Sequence, residues 1–386
     1  MIQTHHIECP GCGHDRLTAP CRIARQPVVL NYRFHTAAAA LRVRRKDIQL
    51  VQCGVCGLIF NAAFDASLVP YDANYENRQC FSPAFQEHLT ELADDLIGRY
   101  ALRGKRLLEV GCGKGDFLRL ICERAAADGA GYDTSYEGPA RQMGGRVRFF
   151  KRYVGTADIT RPFDALICRH VVEHIGEIGS FLNELRNIAA ACGNPVTVIE
   201  TPSFEWIARH RCFWDVFYEH CNYFTLPCLA YLCERAGFTV VGQRLVFGGQ
   251  YQVLELRVRR AVRVVPRPRK SKVRLAEFVR RAEAQILTLE KKLPRAGAQR
   301  GWAVWGGGAK GVALVTRLRR YPPRFVIDTN KAKQGCFIAG SRVPVVSPDD
   351  PRIRELALVL IANPNYTREI TSTLRANGYA HTIRTI

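Results

Sequence analysis

The sequence predicts an α/β protein made of two units of alternating strands and helices behind a short cysteine-rich module. Three observations carry this. From Arg106 onward short apolar runs alternate with helical ones: RLLEV, a glycine loop, DFLRLICERAAA, GAGYD, then DALICR and PVTVIE. Such alternation marks a parallel sheet with crossover helices. The same plan begins again at WAVWG and continues through RFVID and LALVLIANP. Ahead of both, Cys9 and Cys12 in CPGCG match Cys53 and Cys56 in CGVCG, in spacing and in the glycine that follows each pair. A length of 386 residues accommodates two or three domains at roughly 150 residues each.

In chain order, residues 1–70 read as a metal-binding module, 71–258 as the first α/β domain, 259–295 as a basic linker and helix, and 296–386 as the second α/β domain. Two residues between thiolates let a tight turn aim both sulfurs at one ion, and four soft ligands close a tetrahedral structural zinc site with no place for water. The stretch HTAAAALRVRRKD between the knuckles reads as an insertion or hairpin, and His5, His6 and His14 as solvent-facing bystanders. PYDANYENRQCFS is a polar, aromatic loop, followed by a helix from about Ser82 to Tyr100. Between Arg257 and Lys272 lie eight Lys or Arg and no acid, with Pro266 and Pro268 interrupting regular structure. Leu275, Phe278, Val279, Ala282, Ile286, Leu289 and Leu293 then fall on one stripe of a helix, a packing surface and not a site.

Composition narrows the function. Hydrophobic residues at 47% and charged residues at 24% exclude collagen-like and largely disordered classes. Fifteen cysteines, an odd number spread through strands and helices, point to thiols and metal ligands in a reducing compartment, hence the cytoplasm. No apolar run approaches the roughly 18 residues of a membrane span, and MIQTHHIECP lacks the apolar core of a signal peptide. A net charge of +21 suits nucleic acid, acidic lipid or phosphorylated small molecules. The basic stretch lacks the aromatic interleaving of a single-strand platform, which ranks a nucleic-acid-binding or RNA-modifying protein behind a small-molecule enzyme.

The chemistry sits in three segments. RLLEV runs directly into Gly111, Cys112, Gly113, Lys114 and Gly115, and a helix begins at Asp116. Glycines let the backbone turn sharply toward a ligand, while Glu109 and Asp133, at the ends of successive strands, can hold a cation and ribose hydroxyls. Further on, Phe217, Tyr218, Glu219, His220 and Tyr223 crowd together. A neutral histidine with a neighbouring acid and tyrosine can remove a proton from carbon next to a carbonyl and stabilise the enolate. The third segment, Gly306 to Gly311, fits GxGxxG after the strand WAVW, with Asp328 ending the next strand. A phosphate on the amides of that loop and on Lys310 is physically reasonable.

The pattern E-x-G-x-G-x-G resembles motif I of class I S-adenosylmethionine-dependent methyltransferases. The resemblance implies a Rossmann-like domain in which Gly111, Gly113 and Gly115 line the methionine part and Glu109 lies near the amino group. Asp133 would accept from the adenosine ribose, Asp158 in GTAD would lie near the adenine, and Arg169 and His170 would close the pocket. Together with the four-cysteine module, the E-H-x-x-Y-F segment, GGGAKG and FVIDTNKAKQG, nearly the whole chain resembles the sugar C-methyltransferases of deoxysugar biosynthesis. That family implies C-methylation, usually at carbon 3, of a nucleotide-linked 4-keto-6-deoxyhexose, with S-adenosyl-L-methionine as donor and a structural Zn2+. His220 and Glu219 match its E-H pair, and Tyr75 in YDANYE matches its loop tyrosine, with Tyr71 behind it. A second, C-terminal Rossmann-like domain would help hold the nucleotide sugar through Gly306, Gly308, Lys310, Asp328 and Lys333. One departure stands out: described members read Y-x-E-H, whereas here Phe217 lies two before Glu219 and the tyrosine is Tyr218. Adjacent residues of an extended segment face opposite ways, so either Tyr218 reaches the site by a local backbone change or the substrate differs. The same residues also allow an O-methyltransferase of a sugar or other metabolite, with Glu219 and His220 deprotonating oxygen.

Overall fold

The computed structural model describes residues 7–386 except 73, 77, 262–263, 269–272, 298–299 and 319. His5, His6 and part of the basic stretch therefore lie outside the described residues, while His14 is exposed.

The central sheet has five parallel strands in the order Val196–Pro202, Ala165–Arg169, Arg106–Val110, Asp128–Tyr132 and Val147–Phe150. The hairpin Phe238–Val246 and Tyr251–Val258 extends it antiparallel at the Val196 side, and Arg141–Gln142 closes the other edge. Leu107, Leu108 and Val110 are buried, as a parallel strand covered on both faces requires. The helix Asp116–Ala125 starts directly after the glycine loop and buries Phe117, Leu118, Ile121, Cys122 and Ala125. The helix Pro83–Tyr100 begins where Ser82 accepts a hydrogen bond from the Phe85 amide at 3.3 Å, the capping role that serine fills at a helix start. From Arg106–Val110 the chain moves first to one neighbour and later to the other, so the carboxyl ends of these strands open a crevice at a topological switch point.

The C-terminal sheet repeats this plan with five parallel strands in the order Val345–Val346, Phe325–Ile327, Trp302–Trp305, Leu358–Ile361 and Thr382–Thr385. Two Rossmann-like sheets thus follow a smaller third one. In that third sheet Cys21–Pro27, Arg45–Gln52 and Ile59–Asn61 run antiparallel, and the fourth strand is Asn222–Tyr223, supplied by the segment that carries Glu219 and His220. The stretch HTAAAALRVRRKD forms the short helix Ala37–Leu41 and runs into Arg45–Gln52. The stripe on Leu275–Gly297 buries Leu275, Phe278, Ala282, Leu289 and Leu293 in a core shared with Ile23 and Leu50 of the small sheet, Phe204 and Trp214 of the middle, and Val312 and Leu314 of the C-terminal unit. Among the described residues no helix is long and apolar enough to cross a membrane.

Candidate active site

A cavity of about 580 Å³ opens at the carboxyl ends of Arg106–Val110, Asp128–Tyr132 and Ala165–Arg169. Glu109, Gly111, Gly113, Asp133, Arg169 and His170 all line it. Gly111 has φ +72°, and a Cβ there would stand 2.3 Å from Cγ2 of Val171, so no other residue fits this turn. The Gly113 amide donates to Oδ2 of Asp133 at 2.8 Å, and the Ser135 amide and hydroxyl donate to Oδ1 at 2.7 and 2.6 Å, so one carboxylate ties both loops. Glu109 is buried with Oε2 unpartnered. Burial pushes its carboxyl up to about 7, against the opposing pull of Arg169. Arg169 donates through Nε to Glu200 and lies 4.2 Å from the Phe117 ring centroid. His170 holds a left-handed backbone, φ +53°, a strained conformation of the kind found at functional sites, with its buried Nε2 making no hydrogen bond and standing 3.8 Å from Oε2 of Glu200.

Two expected donor-site residues lie elsewhere. Gly115 is outside the lining, and its φ of +81° and a Cβ position 2.5 Å from Phe149 make it a packing glycine at the helix start. Asp158 faces away: it takes two hydrogen bonds from Arg152, at 2.7 and 2.6 Å, and one from the Gly155 amide at 2.9 Å. The Arg152 bonds hold its carboxyl down to about 2. Tyr153 and Val154 reach the cavity in its place.

A second cavity, about 220 Å³, lies between the central unit and the carboxyl ends of the C-terminal strands. Gly306, Gly308, Lys310, Asp328 and Lys333 all line it, and Tyr75, Arg78, Gln79, His170 and His174 line both cavities. Lys310 is not free for a phosphate, because its ammonium pairs with Asp215 of the central unit. The Gly307 amide is likewise taken by Asp328, at 2.5 Å. Lys333 is buried and donates to the Gly307 carbonyl at 3.1 Å.

Glu219 and His220 diverge. The His220 ring lines the second cavity, 4.7 Å from the His174 ring and 4.0 Å from Phe217, and burial followed by the His174 charge keeps it well below the ordinary histidine range. The Glu219 carboxylate lines neither cavity and makes no hydrogen bond to His220 among the described residues. It is fully buried, accepts from the Asn31 amide at 3.4 Å, and leaves Oε2 unpartnered. The E-H pair is therefore not a hydrogen-bonded dyad: Tyr218 and Glu219 lie in a turn closed by the His220 amide donating to the Phe217 carbonyl at 3.2 Å, and the two side chains leave it in different directions. The two tyrosines separate in the same way. Tyr75 lines both cavities with its hydroxyl buried and unpartnered. Tyr218 lines neither: its hydroxyl donates to the Ala63 carbonyl at 3.2 Å and accepts from the Asp65 amide at 3.0 Å, which removes it from the candidate catalytic set.

His174 is the residue the sequence reading passed over. Its Nδ1 lies 2.9 Å from the Glu219 carbonyl and 3.1 Å from the Tyr71 hydroxyl. The signal was present, because the Glu-His dipeptide at 173–174 repeats the one at 219–220. The four knuckle thiols line neither cavity; they are buried and converge, with Cys9 to Cys56 at 3.5 Å and Cys12 to Cys53 at 3.6 Å.

With this geometry in place, comparison with known proteins decides the class. A methyltransferase domain family matches residues 85–243, and a C-methyltransferase C-terminal domain family matches residues 270–382. The chain is an S-adenosylmethionine-dependent methyltransferase. It is 29% identical over 316 residues to C-methyltransferase NovU of Streptomyces niveus, an alignment that covers 74% of this chain and 72% of the relative. Similar solved structures include the 1,6-didemethyltoxoflavin-N1-methyltransferase of Burkholderia thailandensis (19% identity, 46% of this chain and 81% of that one, TM-score 0.35). The magnesium protoporphyrin IX methyltransferase of Synechocystis PCC 6803 is another (15% identity, 45% and 84%, TM-score 0.36).

Proposed function

We propose that this methyltransferase methylates the carbon next to the ketone of a nucleotide-linked 4-keto-deoxysugar. The observation that carries the reading is a half-buried imidazole, His220, opening into the same cavity as the unpartnered hydroxyl of Tyr75, with desolvation holding its pKa well below the ordinary histidine range. A ring kept neutral by burial has its lone pair available as a base at neutral pH. The Tyr75 hydroxyl is driven well above the ordinary range, first by burial and then by Glu219, so it stays a phenol able to donate to an enolate oxygen. Glu219 acts through Tyr75 and the Asn31 backbone, and His174 positions the His220 ring edge-on.

The sequence of events follows from these roles. The C–H bond beside the ketone breaks, its proton passes to His220, and the electron pair moves onto the carbonyl oxygen facing Tyr75. S-adenosylmethionine would supply the electrophilic methyl group: this carbon takes it up as the sulfur–methyl bond breaks, S-adenosylhomocysteine leaves and the electron pair on oxygen returns to restore the ketone. Glu109, Gly111, Gly113 and Asp133 are the residues that would hold the donor, and the unpartnered buried oxygen of Glu109 fits a cationic amino group. Five residues common to both cavities would hold the reactants against each other, an arrangement worth roughly 7 to 11 kcal/mol.

On this reading residues 1–70 are a zinc module, 71–258 the donor domain, 259–295 the linker and helix, and 296–386 the part that engages the nucleotide sugar. Cys9, Cys12, Cys53 and Cys56 would hold a structural Zn2+, since four buried soft donors that line neither cavity leave no position for substrate. Fifteen cysteines with no disulfide among them fit a reducing compartment such as the cytoplasm. The test is alpha-proton exchange in heavy water with a panel of nucleotide 4-ketosugars. Wild type is expected to label the carbon, and His220→Asn to reduce labelling and methyl transfer by on the order of 10²- to 10⁴-fold. A methylated product carrying its new group on oxygen, with no label on carbon, would sink the proposal.

A further inference from the structure

Glu173, His174 and His220 each present a ligand atom, all within 4.8 Å of one another, and all three side chains line the acceptor cavity. Two of them are fixed from behind. Nδ1 of His174 lies 2.9 Å from the Glu219 carbonyl oxygen; a carbonyl can only accept, so Nδ1 carries the proton and Nε2 keeps its lone pair. Oε2 of Glu173 accepts from the Thr201 hydroxyl at 2.9 Å, and Oε1 lies 3.3 Å from Nδ1 of His170. The His220 ring touches His174 and Phe217 and makes no side-chain hydrogen bond among the described residues. Outer hydrogen bonds that set tautomer and orientation are what metal-ligating side chains carry. Around a tetrahedral ion with bonds of roughly 2.0–2.1 Å, ligand atoms stand about 3.4 Å apart, so small side-chain rotations would close this set.

We infer that Glu173, His174 and His220 form a binding site for a divalent transition-metal ion, separate from the four-cysteine cluster, and that an ion held there blocks proton abstraction. Two imidazoles and one carboxylate are the donor set of borderline ions such as Zn2+, Co2+ and Ni2+. The cavity side leaves a fourth position for water or a substrate oxygen. One nitrogen lone pair cannot hold an ion and take a proton at once, so occupancy is inhibitory. The inhibitory half rests on the proposed role of His220; the binding half does not.

The experiment uses full-length protein with the cysteine cluster loaded with zinc and weakly held metal removed by a short EDTA dialysis. Ni2+ is titrated by calorimetry without substrate. One further equivalent is expected, weakened on the order of 100-fold or more in His174→Ala and Glu173→Gln, and by roughly 10- to 100-fold in Thr201→Val, which removes only the outer partner. Cooperative unfolding followed by circular dichroism shows that each variant is folded. No further equivalent in wild type, or one unchanged in both ligand variants, overturns the site. In the exchange assay Ni2+ should suppress alpha-proton exchange in proportion to occupancy, with EDTA restoring it; undiminished exchange with the site loaded overturns the inhibitory half. Failure of wild type with its cysteine cluster zinc-loaded and no Ni2+ added to exchange any ketosugar would count against the carbon-methylation reading and leave the calorimetry standing.

Discussion

Tyr75 and Tyr218 are both buried, yet their hydroxyls meet opposite surroundings. Tyr218 bridges the Ala63 carbonyl and the Asp65 amide, and Tyr218→Phe leaves both without that partner. A loss of about 1–3 kcal/mol is expected, read by denaturant unfolding, with little change in turnover of the folded enzyme. Tyr75 has no partner to lose. Tyr75→Phe should leave stability nearly unchanged and lower kcat on the order of 10²-fold; the reverse pattern would reassign the two roles. Glu109 offers a test by pH. Its folded carboxyl, at about 7, titrates above the ordinary 4.5 because of burial, so the fold favours the protonated form. That contribution is full below pH 4.5 and is lost as pH rises through about 7, an effect of roughly 3 kcal/mol. Glu109→Gln should flatten this part of the stability profile. A cationic donor favours the ionised form instead, so S-adenosylmethionine affinity should rise through the same range, with proton release visible by calorimetry in buffers of different ionisation enthalpy. Binding that is independent of pH between 4.5 and 7 would separate Glu109 from the donor's charge.

At the scale of elements, the helix Pro83–Tyr100 depends on a residue 287 positions away: the Ser82 hydroxyl donates to Oε2 of Glu369 at 2.6 Å, and the Ala84 amide donates to the same oxygen at 3.1 Å. The preceding loop supplies Tyr75, Arg78 and Gln79 to both cavities. Glu369→Ala should therefore cost about 1–2 kcal/mol in unfolding and raise the acceptor KM, while Glu369→Gln, which keeps an accepting oxygen, recovers much of both. An unchanged KM in the alanine variant would show that the loop is positioned without this cap. The contrast with the rest of the helix shows what sequence can disclose. Ser82, Gly111, the periodic apolar positions of Asp116–Ala125 and the stripe from Leu275 to Leu293 act within a turn or two of chain, so their meaning is local and legible. The Glu369 cap, the Lys310–Asp215 pair and the outward turn of Asp158 toward Arg152 depend on partners that only the folded chain brings near. The site divided the same way. Glu109 and Asp133 were readable from residue type and strand ends, His220 from its neighbours Glu219 and Tyr223, and Tyr75 only from the family resemblance, whereas the parting of Glu219 from His220 and the arrival of His174 appear only in the folded chain.

At the scale of the whole molecule, the module with the cysteine cluster is tied to the reacting segment and not merely attached to the chain. Its sheet takes Asn222–Tyr223 as a strand beside Ile59–Asn61, the Asn61 amide donates to the Cys221 carbonyl at 2.8 Å, Tyr218 is bonded to Ala63 and Asp65, and Glu219 accepts from Asn31. Residues on both sides of His220 are thus held by the first sixty or so residues. The donor cavity is built mainly at the carboxyl ends of the central strands and includes none of residues 7–70. If zinc closes the cysteine cluster, its loss should loosen the frame behind His220 while leaving the donor site largely formed. Cys53→Ser, or prolonged chelation of wild type, is expected to abolish alpha-proton exchange and raise protease sensitivity in the module, while S-adenosylhomocysteine still binds with affinity within roughly tenfold of wild type, about 1.4 kcal/mol. Elemental analysis gives the zinc content of the same samples. Exchange that persists in metal-free protein would show that the segment carrying His220 holds its shape without the module, and loss of donor binding alongside exchange would show that the module supports the entire fold and not the reacting segment alone.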